Sequence, residues 1–510
     1  MTSVNTILRL ALLGGALMAL PAKAQSPLSA IDWLNDPVPV AAPRVPLPQE
    51  PPVSKGVSIP DVTVMTLDAA TQEAVGLLPA AVTGLPASLW SQSDVDTLLA
   101  LWSRASSEPL PAVQALYYTL LLAEADPPKG ADGAYLKARV EALMQYGAVE
   151  PAQALLSRAG PTTTDLFPLW FDLALLSGDE TLVCPVLHER PALHPSYGAQ
   201  IYCTALTGDW RTAALLYDTA VALKVLAHAE EHLLGLFLDP EAAETSPELA
   251  PVANPSPLVF RLYEAIGTPL STRSLPLAYA ISDLRSTSGW RTEIEAAERL
   301  VRTGALSENR LLGLYTDRRP AASGGIWDRV EAIQKFDRAL SVQDANAVAD
   351  TLPVAWRYIR AAQLEIPFAT LFGEDLYDIP LTGAARDLAL RIALLGANYE
   401  SAAAHAGPER DVQFLASVAR GAPDPALAVS AREKAIAEVF ATAPVATPDY
   451  ARLIKNGKLG EAILMAAQQL DRAVVDVGHL GEALTILRAV GLEDTARRGA
   501  LQLLILDRSG

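Results

Sequence analysis

Residues 208–213 read Gly-Asp-Trp-Arg-Thr-Ala, and the spacing of a glycine and an alanine five positions later recurs along the chain. Glycine can adopt the left-handed conformation that ends one helix, the next residues begin a second helix, and a small alanine lets the two helices approach closely. Each copy therefore predicts a helical hairpin. The copies lie at 147–152, 208–213, 457–462 and 491–496, with a looser one at 396–402.

The helical period continues beyond these joints. After Gly208, the residues Trp210, Ala213, Ala214 and Tyr217 fall on one face of a helix. If Gly178 is counted as a further joint, the intervals are 31 residues from Gly147 to Gly178, 30 from Gly178 to Gly208, and 34 from Gly457 to Gly491. Such intervals are typical of stacked helix pairs. The sequence thus predicts an all-α fold, an α-solenoid of stacked helical hairpins.

Composition agrees with a long helical stack. The chain has 510 residues, of which 50% are hydrophobic and only 6% aromatic. Since one core stops growing at about 250–300 residues, we expect several units or a stack of repeats. The net charge of −18 argues against a nucleic-acid partner, which requires Lys and Arg to replace phosphate counterions.

The joints resemble the tetratricopeptide class of α-solenoids, in which a glycine, an aromatic or aliphatic residue and a small alanine recur in helical hairpins. This resemblance covers about 135–235 and 385–510, implies stacking and names no ligand. Three further segments resemble an uncharacterised group of exported alphaproteobacterial helical proteins, which implies a periplasmic setting. They are 29–34 (SAIDWL), 76–79 (GLLP) and 320–330 (PAASGGIWDRV).

The first 24 residues have the pattern of a secretory signal peptide. Arg9 precedes an apolar stretch at 10–20, and Ala22-Lys-Ala24 provides an A-x-A cleavage site. The alternative is an uncleaved membrane anchor, but the stretch is shorter than the roughly 20 residues needed to span a bilayer. We expect cleavage after Ala24, a periplasmic or secreted protein, and no integral membrane segment after cleavage.

A Pro-rich tether is predicted at 25–62. Nine prolines fall within 25–60, which excludes a helix or a central strand and favours an extended chain. A short amphipathic island at 28–34 contains Trp33. This island either docks on the body of the protein or is presented to a partner, so Trp33 is a candidate interaction residue.

Prolines also cluster farther along the chain. Five of them fall between Pro240 and Pro257, where we place a domain boundary or a long crossover. The predicted regions are an N-terminal helical repeat region at 63–240 and a C-terminal helical repeat region at 258–510.

Export makes the two cysteines a candidate pair. Cys184 and Cys203 lie on two apolar runs, and the segment 188–195 between them contains two prolines that fold the second run back beside the first. In an oxidising compartment such a pair forms a disulfide. The alternative is two buried free thiols.

One segment fits a metal motif. His228-Ala-Glu-Glu231-His232 matches the H-x-x-E-H pattern and is similar to the inverted zinc peptidases over these five residues. The resemblance implies that His228 and His232 are zinc ligands and Glu231 the base. A third, acidic ligand would be Glu293, Glu295 or Glu298. The favoured alternative is a polar stripe on an amphipathic helix, so no metal or cofactor is expected.

The loop at 320–325 is the second unusual segment. Gly324 and Gly325 precede a helix start, where free N–H groups can bind an anion. The favoured alternative is a joint between helices in which Trp327 is the first buried residue. Trp327 is also a candidate interaction residue.

These features predict a non-catalytic scaffold or adaptor of the bacterial envelope that holds a protein or peptide on a solenoid surface. The alternative is an enzyme of cell-wall or peptide turnover, or its accessory factor. Such an enzyme would act through the helix at 228–232 or a carboxylate cleft.

Overall fold

The computed structural model describes residues 72–245, 249–250, 252–285 and 287–506. Within these ranges β structure is confined to two isolated bridges, Leu78 with Ala123 and Asp94 with Lys129. The predicted all-α class is confirmed for this part of the chain. The predicted signal peptide, the tether and Trp33 lie outside the described residues.

Twenty-five α-helices follow one another between Ala80 and Ile505 in the described ranges. The first thirteen are α1 (Ala80–Thr83), α2 (Val95–Trp102), α3 (Pro111–Leu122), α4 (Ala134–Gln145), α5 (Val149–Ala159), α6 (Phe167–Ser177), α7 (Glu180–Glu189), α8 (Tyr197–Leu206), α9 (Trp210–Leu223), α10 (His228–Leu238), α11 (Pro240–Thr245), α12 (Pro257–Ala265) and α13 (Trp290–Arg302). The remainder are α14 (Glu308–Thr316), α15 (Ile326–Ser341), α16 (Ala345–Ala361), α17 (Glu365–Asp378), α18 (Gly383–Ala393), α19 (Tyr399–Ala402), α20 (Arg410–Ala419), α21 (Ala431–Ala441), α22 (Pro448–Lys455), α23 (Leu459–Arg472), α24 (Leu480–Ala489) and α25 (Glu493–Ile505).

Four of the predicted joints have the expected backbone. The positive φ angles, between 73° and 92°, occur at Gly147, Gly208, Gly457 and Gly491. The alanines five residues later are completely buried, at Ala152, Ala213, Ala462 and Ala496. Each of these glycines separates two helices, because the left-handed turn reverses the chain while the alanine allows close packing.

The looser copy at 396–402 behaves differently. Gly396 does not have a positive φ, and the helix after it, α19, has only four residues. A β-carbon at Gly396 would lie 3.0 Å from the carbonyl oxygen of Ala369, on α17. The expectation of a left-handed joint is therefore wrong here, since this glycine serves a close approach between helices.

The described residues belong to one compact unit, which includes helices on both sides of the stretch 240–258. Its larger core contains buried residues from Leu85 to Leu506. A second core, from Phe167 to Tyr263, is built by helices α6 to α10 and α12. Consecutive helices supply much of the packing, as in the pairs α8 with α9, α15 with α16 and α23 with α24.

Helices from the two ends of the described chain also pack together. Helix α3 contacts α23 and α25, and α2 contacts α23. Gln468 on α23 donates its amide to the carbonyl of Leu101 at 2.7 Å. The N–H of Ala112 donates to Oε1 of Gln502 at 2.7 Å. We call these contacts the end-to-end interface. A linear stack in which each repeat touches only its neighbours does not account for it.

Candidate functional site

The two cysteines meet between consecutive helices. Cys184 on α7 and Cys203 on α8 form a disulfide, with 4.8 Å between their Cα atoms. A short 3-10 turn at Pro191–Leu193 separates the two helices and returns the chain. Both cysteines are buried in the second core. The predicted pairing is confirmed, and its position marks it as a structural bond.

The metal motif forms part of one helix surface. His228, Glu231 and His232 lie on α10 and line a cavity of about 250 Å³ together with Tyr217. Both imidazoles are exposed. The hydroxyl of Tyr217 donates to the backbone carbonyl of Glu231 at 3.1 Å. Nowhere in the described ranges do three or more His, Cys, Asp or Glu side chains come together as a metal site.

Two of the three acids considered as a further zinc ligand are engaged by cations. Glu298 accepts two hydrogen bonds from Arg329, at 2.7 and 2.8 Å, and a third from the hydroxyl of Tyr315 at 2.8 Å. Glu295 pairs with Arg273 and with Arg291. Arg291 is on α13 itself, whereas Arg273 and Arg329 belong to other elements packed on it. The two carboxylates therefore have structural partners.

Trp327 is half-buried and packs on a second tryptophan, while Ile326 before it is the first buried residue of α15. The ring centroid of Trp327 lies 5.0 Å from that of Trp290, and Trp290 donates its indole N–H to the carbonyl of Leu314 at 2.8 Å. The N–H of Gly324 donates to a carboxylate oxygen of Asp328 at 2.8 Å. A carboxylate from the chain itself therefore occupies this turn, which favours the helix-joint interpretation over an anion loop.

A cavity of about 620 Å³ lies beside the end-to-end interface. Its wall combines parts of the chain that are far apart in sequence, and we call it the closure cavity. Its volume is in the range of sites for small molecules. Its wall includes the apolar, amide and charged side chains of Leu110, Gln114, Leu277, Arg299, Arg302 and Asp471.

Two arginines of α13 line the closure cavity one turn apart. Arg299 donates to the carbonyl oxygens of Thr272 at 2.9 Å and Leu275 at 3.2 Å. Burial, together with the positive charge of Arg302, lowers the pKa of Arg299. Arg302 is exposed, and its Nε contacts the carbonyl of Glu298 at 3.4 Å. The carboxylate of Asp283 attracts the Arg299 guanidinium and partly offsets the lowering of its pKa.

The acids in the wall of this cavity are Asp471 and Glu108. Asp471 accepts the backbone N–H of Leu110 at 2.7 Å and so holds the start of α3. Glu108 also lines the cavity and is exposed to solvent. The arginine side of the cavity is a local concentration of positive charge in a chain with a net charge of −18.

A buried amide forms another part of the wall. Gln114 on α3 is only 4% exposed, and neither its Oε1 nor its Nε2 has a hydrogen-bond partner. Buried polar atoms in folded proteins are nearly always paired, because leaving water without a replacement partner is unfavourable. An unpaired amide at a cavity wall is therefore a feature that calls for a partner.

A neighbouring cavity of about 400 Å³ shares Arg299. Burial raises the pKa of Asp283 in its wall, and this carboxylate accepts a hydrogen bond from the hydroxyl of Thr272. Arg285 pairs with Glu264 at 2.6 Å. The charged groups of this second cavity are thus largely paired with one another.

Sequence reasoning missed Arg299, Arg302 and Gln114. On α13 the two arginines have the ordinary pattern of charges on an amphipathic helix, and Gln114 is one of the few polar residues in a mostly apolar helix. No local motif could have found them, because the cavity exists only where distant segments meet. No family model, curated protein or solved structure matches this chain.

Proposed function

We propose that the protein is a non-catalytic, exported scaffold or adaptor that binds a protein or peptide partner in the bacterial envelope. The observation that carries the proposal is the closure cavity, where segments around Leu110, Arg299 and Asp471 form one concave surface. Its side chains are guanidinium, amide and apolar groups suited to binding.

The architecture proposed for this role is a tetratricopeptide-like α-solenoid with a Pro-rich, extended N-terminal segment. The glycine joints, the buried alanines and the packing of consecutive helices support repeated hairpins. Such hairpins present extended concave surfaces to protein ligands. In this proposal the island around Trp33 engages a second partner.

The proposed location is the periplasm or the exterior of the cell. The signal-like segment at 1–24 and the buried disulfide support export, since disulfides persist mainly in oxidising compartments. Across the described ranges, no helix combines the length and apolarity required to cross a bilayer.

Export is tested by fractionating cells and sequencing the N-terminus of the purified protein. We expect the protein in the periplasmic or extracellular fraction, with Gln25 as its first residue. A protein that stays in the cytoplasm and still begins with the first residues of the sequence would contradict the proposal. Cleavage elsewhere within the first 30 residues would correct only the processing site.

Binding is tested by crosslinking the mature protein in intact cells and identifying what is attached to it. We expect the same envelope protein or peptide to be crosslinked in repeated experiments. The crosslinked product should be absent when the cell proteins are denatured before the crosslinker is added. Recovery of no reproducible partner would count decisively against the adaptor.

The second candidate function is an enzyme of cell-wall or peptide turnover, or its accessory factor. The observation that favours it is the common cavity of His228, Glu231 and His232. The test is metal analysis of protein purified without chelators. Stoichiometric zinc that is lost in a H228A/H232A variant would support this enzyme, and its absence would exclude the zinc mechanism.

A further inference from the structure

Helix α9 is apolar but hardly buried. Ten of its fourteen residues are Ala, Val, Leu, Tyr or Trp, yet only Ala213 and Ala220 are buried. The helix packs on α8 and α10. Seven of the thirteen large apolar residues that the described chain exposes lie between 182 and 225, and three of them, Trp210, Leu215 and Leu223, are on α9. A concentration of exposed apolar residues is typical of an interface.

The exposed side of α9 consists of two neighbouring rows of residues. Residues four positions apart form such a row along a helix. All seven members are exposed, and they are Arg211, Leu215, Thr219 and Leu223 in the row of larger side chains and Ala214, Asp218 and Ala222 in the row of smaller ones. The hydroxyl of Thr219 donates to the carbonyl of Leu215 at 2.8 Å, so this polar group is satisfied within the helix.

The charged residues of α9 are one cation and one anion. Arg211 and Asp218 are seven positions apart, which is close to two helical turns, so both lie on the exposed side. Asp209 before the helix accepts the N–H of Thr212 at 3.1 Å and caps α9. Hydrogen bonds from Thr212, and then the charges of His188 and Arg211, lower the pKa of Asp209. The exposed side of the helix therefore carries opposite charges at a fixed spacing.

We propose that α9 is the interface of a homodimer, in which two copies of the helix pack antiparallel about a two-fold axis near residues 214–215. In this register Arg211 of one copy faces Asp218 of the partner subunit, and Leu215 packs over Ala214 of the partner subunit. The axis repeats both contacts, so two ion pairs flank a central apolar contact. This inference goes beyond the proposed scaffold function, because it assigns a second copy of the chain as a partner.

A second copy fits this surface because the surface is complementary to itself. A two-fold axis sets the row of larger side chains of one helix over the row of smaller ones of the other, as ridges pack into grooves. The same axis places a cation opposite an anion, which fixes the register and excludes the parallel arrangement of like charges.

The antiparallel direction also covers exposed apolar residues at both ends of the helix. Leu206 and Trp210 are exposed around its start, and Leu223 is exposed at its end. In the dimer the start of one helix lies against the end of the other, so these side chains leave water together. Removal of apolar surface from water is the main driving force of such an association.

The test is sedimentation velocity of the full mature protein between about 1 and 100 μM. A salt concentration of about 0.15 M screens the long-range repulsion between two acidic chains. We expect a dimer that dissociates on dilution. A native protein that stays monomeric over the whole range would overturn the proposal.

A variant at the centre of the interface locates the contact. L215E should weaken dimerisation about a hundredfold or more, because a carboxylate would be buried there without a partner. Leu215 is exposed in the single chain, so the variant should keep the native circular dichroism. The matched control is V342E, since Val342 is exposed to a similar degree, 68% against 66%, and lies outside α9. It should dimerise as the native protein does. Native dimerisation of L215E would overturn the assignment.

A charge exchange tests the register. R211D and D218R each set like charges opposite one another, and each should weaken dimerisation about tenfold or more. The double variant R211D/D218R restores opposite charges across the axis and should dimerise within about threefold of the native protein. Failure of the double variant to recover would overturn the antiparallel register.

This test and that of the proposed function fail independently. A monomeric protein could still crosslink an envelope partner at the closure cavity. A dimeric protein could yield only a second copy of itself in the cellular crosslinking experiment, which would support the dimer and count against the adaptor.

Discussion

The indole ring of Trp90 packs directly on Gly460, although 370 positions of sequence lie between them. Gly460 is the second residue of α23, and a β-carbon there would collide with the ring and lie 2.9 Å from the carbonyl oxygen of Leu89. Gly460 is on the same helix as Gln468, which donates to the carbonyl of Leu101. The contact with Trp90 shows that the packing between the two ends of the described chain is close and depends on a residue without a side chain.

Replacing Gly460 with alanine should therefore destabilise the protein. The added methyl group must displace Trp90, and overpacking of a close-packed core costs about 1–3 kcal/mol. The measurement is the urea midpoint of unfolding. The control is G481A on α24, where the nearest atom to a new β-carbon is 3.8 Å away. That variant should be neutral or slightly more stable, and equal losses in both variants would contradict a tight interface.

The disulfide should stabilise the second core. Cys184 and Cys203 close a loop with a sequence separation of 19, and bridges over loops of this size contribute about 3 kcal/mol. A reductant should lower the unfolding midpoint of the native protein to that of a C184A/C203A variant. The variant itself should not respond to reductant. A native protein whose midpoint ignores the reductant would show that the bond contributes little.

Stability should fall between about pH 4 and pH 7 because of Asp172. Burial raises the pKa of this carboxyl to about 7, above its value in the unfolded chain. The unfolded chain therefore loses the proton first as the pH rises, so the favourable contribution of the neutral carboxyl is complete below pH 4 and is lost through pH 7.

D172N removes this loss. Relative to the native protein, D172N should gain up to about 4 kcal/mol in unfolding free energy at pH 8 and little at pH 4. The pKa of Asp172 lies about 3 above that of an ordinary carboxyl, and a difference of one corresponds to about 1.4 kcal/mol. The measurement is the denaturant midpoint across this pH range. D165N, at an exposed position of the preceding loop, is the control and should follow the native profile. A D172N profile parallel to the native one would refute the assignment.

Q114L should raise the free energy of unfolding. An apolar side chain of similar size removes two unpaired polar atoms from the interior, and we expect a gain of about 1 kcal/mol. Gln145 lines the same cavity but is exposed, so Q145L should change the unfolding free energy by less than about 0.5 kcal/mol. A clear loss of stability in Q114L would mean that the amide has a partner in solution.

The sequence predicted the features that depend on local chemistry. The glycine joints follow from the conformational freedom of residues such as Gly208 and Gly457, and the burial of Ala213 and Ala462 follows from close helix approach. The disulfide followed in the same way, because two prolines between the cysteines return the chain over a short distance.

The sequence did not predict the end-to-end interface or the closure cavity. The relevant side chains, such as Gln468 and Gln502, are polar residues on amphipathic helices, and nothing in their neighbourhood signals a partner more than 360 positions away. Gly460 lies within the helical pattern of α23, and only the contact with Trp90 and the Leu89 carbonyl excludes a side chain there. Such features become visible when the distant segments are placed together.

The central claim, that the chain binds a protein or peptide at the closure cavity, is tested most directly by a photo-crosslinking amino acid at Val475. This residue lines the cavity and is 92% exposed. Val82 is 70% exposed, is not among the cavity residues and is the matched control position. In cells we predict one reproducible crosslinked partner from position 475 and none of it from position 82. No adduct at 475, or the same set of adducts at both positions, would contradict the claim.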